Sequence, residues 1–397
     1  MTNVADQCEP WMVSDVEYGS GVTALHQEIE HFYNYMLSTP TEYMMRMEAV
    51  HRIERVVLSI WPDCCVEVFG SFRTGLNLPI SDIDIAVNNF YWQGAPLLEL
   101  RDTLIARGVA DDINVLDKAS VPVVKFTEQI SRIKFDISFN TTSGVKAAEL
   151  VQQYIEQFPE LPKLVMVLKQ YLLLQGLNEV YSSGGISSYS VTLMCISFLQ
   201  QQPLSEAKNC KNDNKLGKLL LKFLDFYGRK FDYFKYGISI RGSGGIVEKC
   251  VLQNSFSHGN WLSVLTIEDP ITPTNDIGRS SFGALDVKQR FETAFLKLSK
   301  QVDMDVSKRS GSILGSIIHV PQSVMSYRNW VHFKFRHLTD ISAEPVNGIE
   351  QYFDIDVKLQ LNATTSEDEE EDKKEIGSNL NDMPLTHNGC QYKGLGC

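Results

Sequence analysis

The sequence contains no Cys-x-x-Cys pair among its eight cysteines (Cys8, Cys64, Cys65, Cys195, Cys210, Cys250, Cys390, Cys397) and no His-Glu-x-x-His among its eight histidines. A zinc site of either kind is therefore not expected, and the cysteines read as buried or idle reduced thiols. No stretch reaches the roughly 20 apolar residues that span a bilayer, and MTNVADQCEP has no basic segment leading into an apolar one. Membrane insertion and export on a signal peptide are not expected. Basic charge is scarce as well: 37 Lys+Arg stand against 49 Asp+Glu, a net charge of −12. The run from Glu367 to Glu375 holds seven acids and two lysines, which accounts for −5 and leaves −7 for the rest. Neither part is a basic slab, so binding to nucleic acid cannot be argued from charge. There is no RNA-recognition motif, zinc knuckle or internal repeat.

What is present is enough apolar material for a sizeable core, 43% of 397 residues. Residues 1–20 are polar and read as disordered, and 21–60 as two helices broken at Pro40. From 61 to 142 the period shortens to two, with strands in VEVFG, SDIDIAVN and RIKFDISFN. From 143 to 320 the pattern is helical again. It fades over 321–361, and 362–397 read as a disordered acidic tail. The expected fold is an α/β domain with a mixed sheet followed by a mainly α-helical domain.

Chemistry concentrates in the sheet region. In an extended strand, residues two apart share a face, so Asp82 and Asp84 project together while Ile83 and Ile85 point into a core. Two carboxylates held so close repel each other unless a divalent cation intervenes, and oxygen-only ligands suit Mg²⁺. The pattern alone is weak, since Asp303-Met304-Asp305 and Asp354-Ile355-Asp356 repeat it where solvated faces suffice as an explanation. Context separates the first pair. Gly70-Ser71 follows an apolar strand and opens a turn able to approach a phosphate. Asp136 lies on the face of RIKFDISFN opposite Ile133, Phe135, Ile137 and Phe139. Three carboxylates beside such a turn suit two-metal phosphoryl or nucleotidyl transfer; three solvent-facing acids on sheet edges are the plain alternative.

The run FGSFRTGLNLPISDIDIAV, then VPVVKF and RIKFDISFN, resembles the DNA polymerase β-like nucleotidyltransferase superfamily. More narrowly it resembles the Trf-type non-canonical poly(A) polymerases with a PAP-associated domain. The likeness continues through LPKLVMVLKQYLLLQGLNEV, SSGGISSYSVTLM and IEDPITPTNDIGRSSFGALDVKQRF, over roughly residues 50 to 300. The resemblance implies an α/β nucleotidyltransferase domain, a helical central domain on which the helices before residue 60 pack, and a nucleotide held between the two. It implies that Asp82, Asp84 and Asp136 are the catalytic metal ligands, with Mg²⁺ or Mn²⁺. It also implies that Lys169 contacts the triphosphate of ATP, that Ser188 binds phosphate and Tyr189 stacks on the base, and that Ser143-Gly144 touches the sugar. The segment holding Glu268, Asn275 and Arg279 becomes the nucleotide-recognition motif. From the residues alone, Lys169 is as well explained by a stem reaching solvent, Tyr189 by packing, and the 268–279 loop by a capped surface turn.

Leu173 stands where relatives that add uridylate often have a second phosphate-contacting lysine, so that contact is not expected here. Asn275 stands where they often have histidine, and that absence tilts the expectation to ATP. The resulting expectation is AMP addition to RNA 3′ ends in nuclear RNA surveillance, with a zinc-knuckle RNA-binding protein and an RNA helicase as partners. A uridylyl or mixed-nucleotide transferase, a silent RNA-binding scaffold and cytoplasmic residence are the alternatives. With no basic surface, RNA binding by the chain alone is expected to be weak.

Overall fold

The computed structural model describes residues 9–88, 95–119, 121–202, 214–253, 256, 263–305 and 311–339. The acidic tail and Asp354–Asp356 lie outside them. Among the described residues no helix is long and apolar enough to cross a membrane.

Two hydrophobic cores organise the chain. The first is built on a sheet whose strands are β1 (Cys65–Phe69), β2 (Ile83–Asn88), β3 (Ala110–Leu116), β4 (Val123–Glu128) and β5 (Lys134–Phe139), in the order β1-β2-β5-β4-β3. Only the β2–β5 pair is parallel. Ile83, Ile85, Val124, Phe126, Phe135 and Ile137 are buried on one face, as the period-two pattern requires. The short helix α3 (Gly70–Thr74) follows β1, and α4 (Pro96–Arg107) closes the buried face with Leu100 and Leu104.

The second core is helical. It gathers α1 (Gly21–Met36), α5 (Thr142–Gln157), α6 (Leu161–Leu174), α8 (Ser188–Gln200), α9 (Lys215–Asp225) and α11 (Ala284–Val302), while the single turn α7 (Val180–Ser183) lies between α6 and α8 along the chain. A hairpin of β6 (Tyr236–Ser239) and β7 (Gly245–Glu248), with the short α10 (Lys249–Gln253), packs beside it. Nearly every side of α6 is buried, because it runs through the middle of this core.

Three expectations are corrected. Only α1 joins the helical core; α2 (Pro40–Ile60) turns its stripe of Met45, Ala49, Ile53, Val56 and Val57 onto the sheet. The reason is the break before it: Thr39 and Glu42 cap each other's backbone in a capping box with Pro40 at the first helical position, which starts a new helix axis. Residues 9–20 are not loose, since Trp11 is buried edge-on against Phe32 with ring centroids 5.2 Å apart. In the fading region, α12 (Gln322–Phe335) buries Tyr327, Trp330, Val331 and Phe335 on the sheet core, while Val324 belongs to the helical one. Arg328 fastens this crossing by pairing with Glu42 (Nε to Oε1, 2.8 Å) and donating to the Leu37 carbonyl.

Candidate active site

Strand register builds the site. Asp84 on β2 is the partner of Asp136 on β5, and Asp136 is the partner of Lys125 on β4. With Phe69 opposite Asp84 on β1, the row Phe69, Asp84, Asp136, Lys125 crosses four strands on the face away from the core. Neighbours in such a row stand about 5 Å apart at the backbone. Asp82 precedes β2 and enters from the loop.

That loop is held from both cores. Arg46 of α2 is fully buried and donates to the Pro79 carbonyl (2.6 Å) and the Ser81 carbonyl (2.9 Å), just ahead of Asp82. From α6, Lys169 donates to the Leu76 carbonyl at 2.7 Å. Lys169 is only 6% exposed, which excludes a stem reaching solvent. Burial pushes its ammonium down to about 8, against the pull of Asp82 and Asp84. Gly70 has φ +66°, and a Cβ there would overlap Asp84 Oδ2, so the turn lies directly against the carboxylate.

The electrostatics follow from crowding. Burial first, then the charges of Asp82 and Asp136, raise Asp84 to about 8. Burial also raises Asp136, against the hydrogen bond from Lys125. Burial alone would lower the Lys125 ammonium, but its bond to Asp136 and the charges of Asp136, Asp82 and Glu179 raise it. The Lys125–Asp136 pair is direct, Nζ to Oδ2.

The donors fit a hard divalent cation in kind: all three are carboxylates, and Asp84 is short of positive charge. Among the described residues, however, no three such groups converge as a ready metal cage. A cleft of about 330 Å³ is lined by Asp82, Lys134, Lys169, Leu173, Glu179 and Ser188 among others; of the three aspartates only Asp82 is in its lining. A larger cavity of about 450 Å³ beside Asp225, Arg229 and Lys288 is remote from the carboxylates in its lining, so volume does not locate the chemistry.

Comparison with known proteins agrees with this architecture. The family described as "Poly(A) RNA polymerase, mitochondrial-like, central palm domain" matches residues 25–156, and "Cid1 family poly A polymerase" matches 215–275. The chain is 59% identical to the inactive non-canonical poly(A) RNA polymerase protein Trf4-2 of Drosophila melanogaster, over 85% of this chain and 84% of that one. The chain belongs to the Trf4-type non-canonical poly(A) RNA polymerases. It is 33% identical to Poly(A) RNA polymerase cid14 of Schizosaccharomyces pombe over 85% of its own length, but spans only 51% of that relative. The polymerase core of TRAMP, an RNA surveillance complex, shares its fold with a TM-score of 0.69 and 31% identity, over 78% of this chain and 98% of that one. A mutant Cid1 poly(U) polymerase bound to MgATP has a TM-score of 0.59 at 22% identity, over 72% of this chain and 96% of that one, a likeness of fold alone.

The remaining family positions differ in how they relate to the row. Ser71 lies in α3, next to Gly70. Ser143 is exposed in the first turn of α5, and Gly144 sits on the Phe69 ring, where a Cβ would come within 2.8 Å. Ser188 is exposed at the start of α8 and lines the cleft. Tyr189 is partly buried; its hydroxyl is enclosed without a hydrogen-bond partner, and burial, then Asp269, push it up. In the recognition segment, Glu268 is buried and accepts from Ser239 (2.5 Å) and Arg241 (3.1 Å). Asn275 is exposed but donates to Asp269 at 2.9 Å, which shapes the turn, and Arg279 is exposed. Of this group only Ser188 lines the cleft; Tyr189, Glu268, Asn275 and Arg279 do not. Two residues escaped the sequence reading. Lys125 sits in the quoted VPVVKF, where alternation already places it opposite the buried Val124 and Phe126. Arg46 gave no sign beyond a charge in a helix.

Proposed function

We propose that the chain transfers AMP from ATP to the 3′-hydroxyl of RNA without a template. The observation supporting this best is the register pair of Asp84 and Asp136, with Asp82 at the cleft and the Lys169 ammonium behind it. Mg²⁺ or Mn²⁺, held by Asp82, Asp84 and Asp136, would supply the acidifying charge for the hydroxyl and neutralise the leaving pyrophosphate. The protein's own residues do the rest. Asp136 accepts the proton as the hydroxyl oxygen bonds to the α-phosphorus and the α–β bridge breaks. Lys169, beneath the Leu76–Asp82 loop, offsets triphosphate charge. The Tyr189 ring offers a face to any base, and discrimination falls to hydrogen bonds from the segment of Glu268, Asn275 and Arg279.

A second reading, a silent RNA-binding scaffold, is favoured by one fact: the 59% identical Drosophila relative is named as inactive. The test is tailing of a short RNA with each of ATP, UTP, CTP and GTP, with and without Mg²⁺. ATP-dependent extension that vanishes in Asp82→Ala/Asp84→Ala is expected. Identical behaviour of wild type and variant would select the scaffold, and a UTP preference would replace ATP while leaving the chemistry in place.

The net charge of −12 leaves RNA binding to depend on help. Likeness to the core of an RNA surveillance complex supports assembly with partners. We place a zinc-knuckle RNA-binding protein, a helicase and a nuclear role in tagging RNA for processing or decay within the same proposal.

A further inference from the structure

The carboxylate row ends in a cation that the chain supplies itself. Lys125 is the register partner of Asp136 and its ammonium is paired with Asp136 Oδ2. The lysine side chain is 44% exposed and that of Asp136 only 18%. The ammonium therefore reaches the carboxylate from the open side of the sheet, where leaving it costs little desolvation. In this same arrangement no three ligating groups converge among the described residues. An ammonium and a divalent ion on one carboxylate repel each other at short range, so the pair opposes ion binding at Asp136. Glu179, which lines the cleft, also acts on Lys125 through its charge.

We propose that Lys125 is a positioning residue that holds Asp136 back from the ion shared with Asp82 and Asp84, so that a divalent ion competes with the ammonium for that carboxylate. This rests on the reading of the three aspartates as ion holders given above. The lysine then works as a threshold: Asp136 stays neutralised while the site is metal-free, and becomes a ligand only when a stronger cation competes.

The test is Mn²⁺ binding to the full chain without nucleotide, with free ion measured by electron paramagnetic resonance. Lys125→Met should bind Mn²⁺ about tenfold more tightly than wild type, since a competing charge has been removed. Lys125→Gln, a polar substitute suited to the exposed stem, should do the same, and Lys125→Arg should restore wild-type affinity by restoring the pair. In an Asp136→Asn background, Lys125→Met should give no tightening, because the shared carboxylate is gone. A merely structural lysine would give weaker binding in Lys125→Met. Unchanged or weakened binding in both neutral variants, with wild type still binding, overturns the threshold and leaves the metal site standing. No binding by any of the proteins overturns both.

Discussion

Replacing Asp84 by Asn should make the metal-free protein more stable at neutral pH while abolishing transfer. Burial, and then Asp82 and Asp136, raise this carboxyl from 3.8 to about 8 in the fold. In the unfolded chain it ionises near pH 4; in the folded chain it keeps its proton to about pH 8. The unfolded chain thus binds fewer protons across that window, so stability is highest below it and falls as pH rises through it. Each pH unit is worth about 1.4 kcal/mol, which gives a penalty of up to roughly 4 kcal/mol at pH 7. Asp84 is not fully closed to solvent, so water carries part of that load and the figure is an upper bound. Asn has nearly the same volume, no titration, and an amide able to donate to Asp82 or Asp136. Urea unfolding of both proteins in EDTA at about pH 5, 6, 7 and 8 should show the variant's advantage opening by about 1 kcal/mol per unit. Saturating Mg²⁺ should shrink the gap, because an ion that binds only folded wild type stabilises it. A gap independent of pH, or a variant less stable at pH 7, would refute the argument.

Gly70→Ala forces a side chain into φ +66° and into Asp84 Oδ2. It should cost about 1–2 kcal/mol in thermal unfolding and reduce the tailing rate about a hundredfold through a displaced carboxylate. Tyr189→Phe removes a buried hydroxyl that has no partner, so stability should hold or rise by up to about 1 kcal/mol, with the KM for ATP retained. Tyr189→Ala should raise that KM by the loss of about 1–3 kcal/mol of stacking. Arg328→Met leaves Glu42, whose side chain is 6% exposed, without its countercharge. Urea unfolding should show a loss of about 3–5 kcal/mol, and a loss below about 1 kcal/mol would mean the two cores are not fastened there.

Alternation made the strand faces at Asp82–Val87 and Ile133–Phe139 legible, because a period of two needs no knowledge of neighbours. The break at Pro40 was legible for the same local reason. The destination of α2 was not, since an apolar stripe states that a face is buried and not against what. The aromatic stripe of α12 was missed because its polar residues do not segregate cleanly to the other side. Lys169 looked ambiguous in an apolar helix, and only the surrounding core excluded a route to solvent. Asn275 and Glu268 were noticed through family likeness, yet their bonds to Asp269, Ser239 and Arg241 are properties of how the loop closes on the β6 strand.

The amino-acid sequence determined which residues face out from each strand, and supplied the separated motifs by which the family was recognised. Tertiary structure decided which of those outward residues meet. Asp84 and Asp136 become neighbours, and Lys125 comes to close the row, through backbone hydrogen bonding in the order β2-β5-β4. That order joins segments far apart along the chain, and its energy lies in contacts between strands, which no window of neighbouring residues contains.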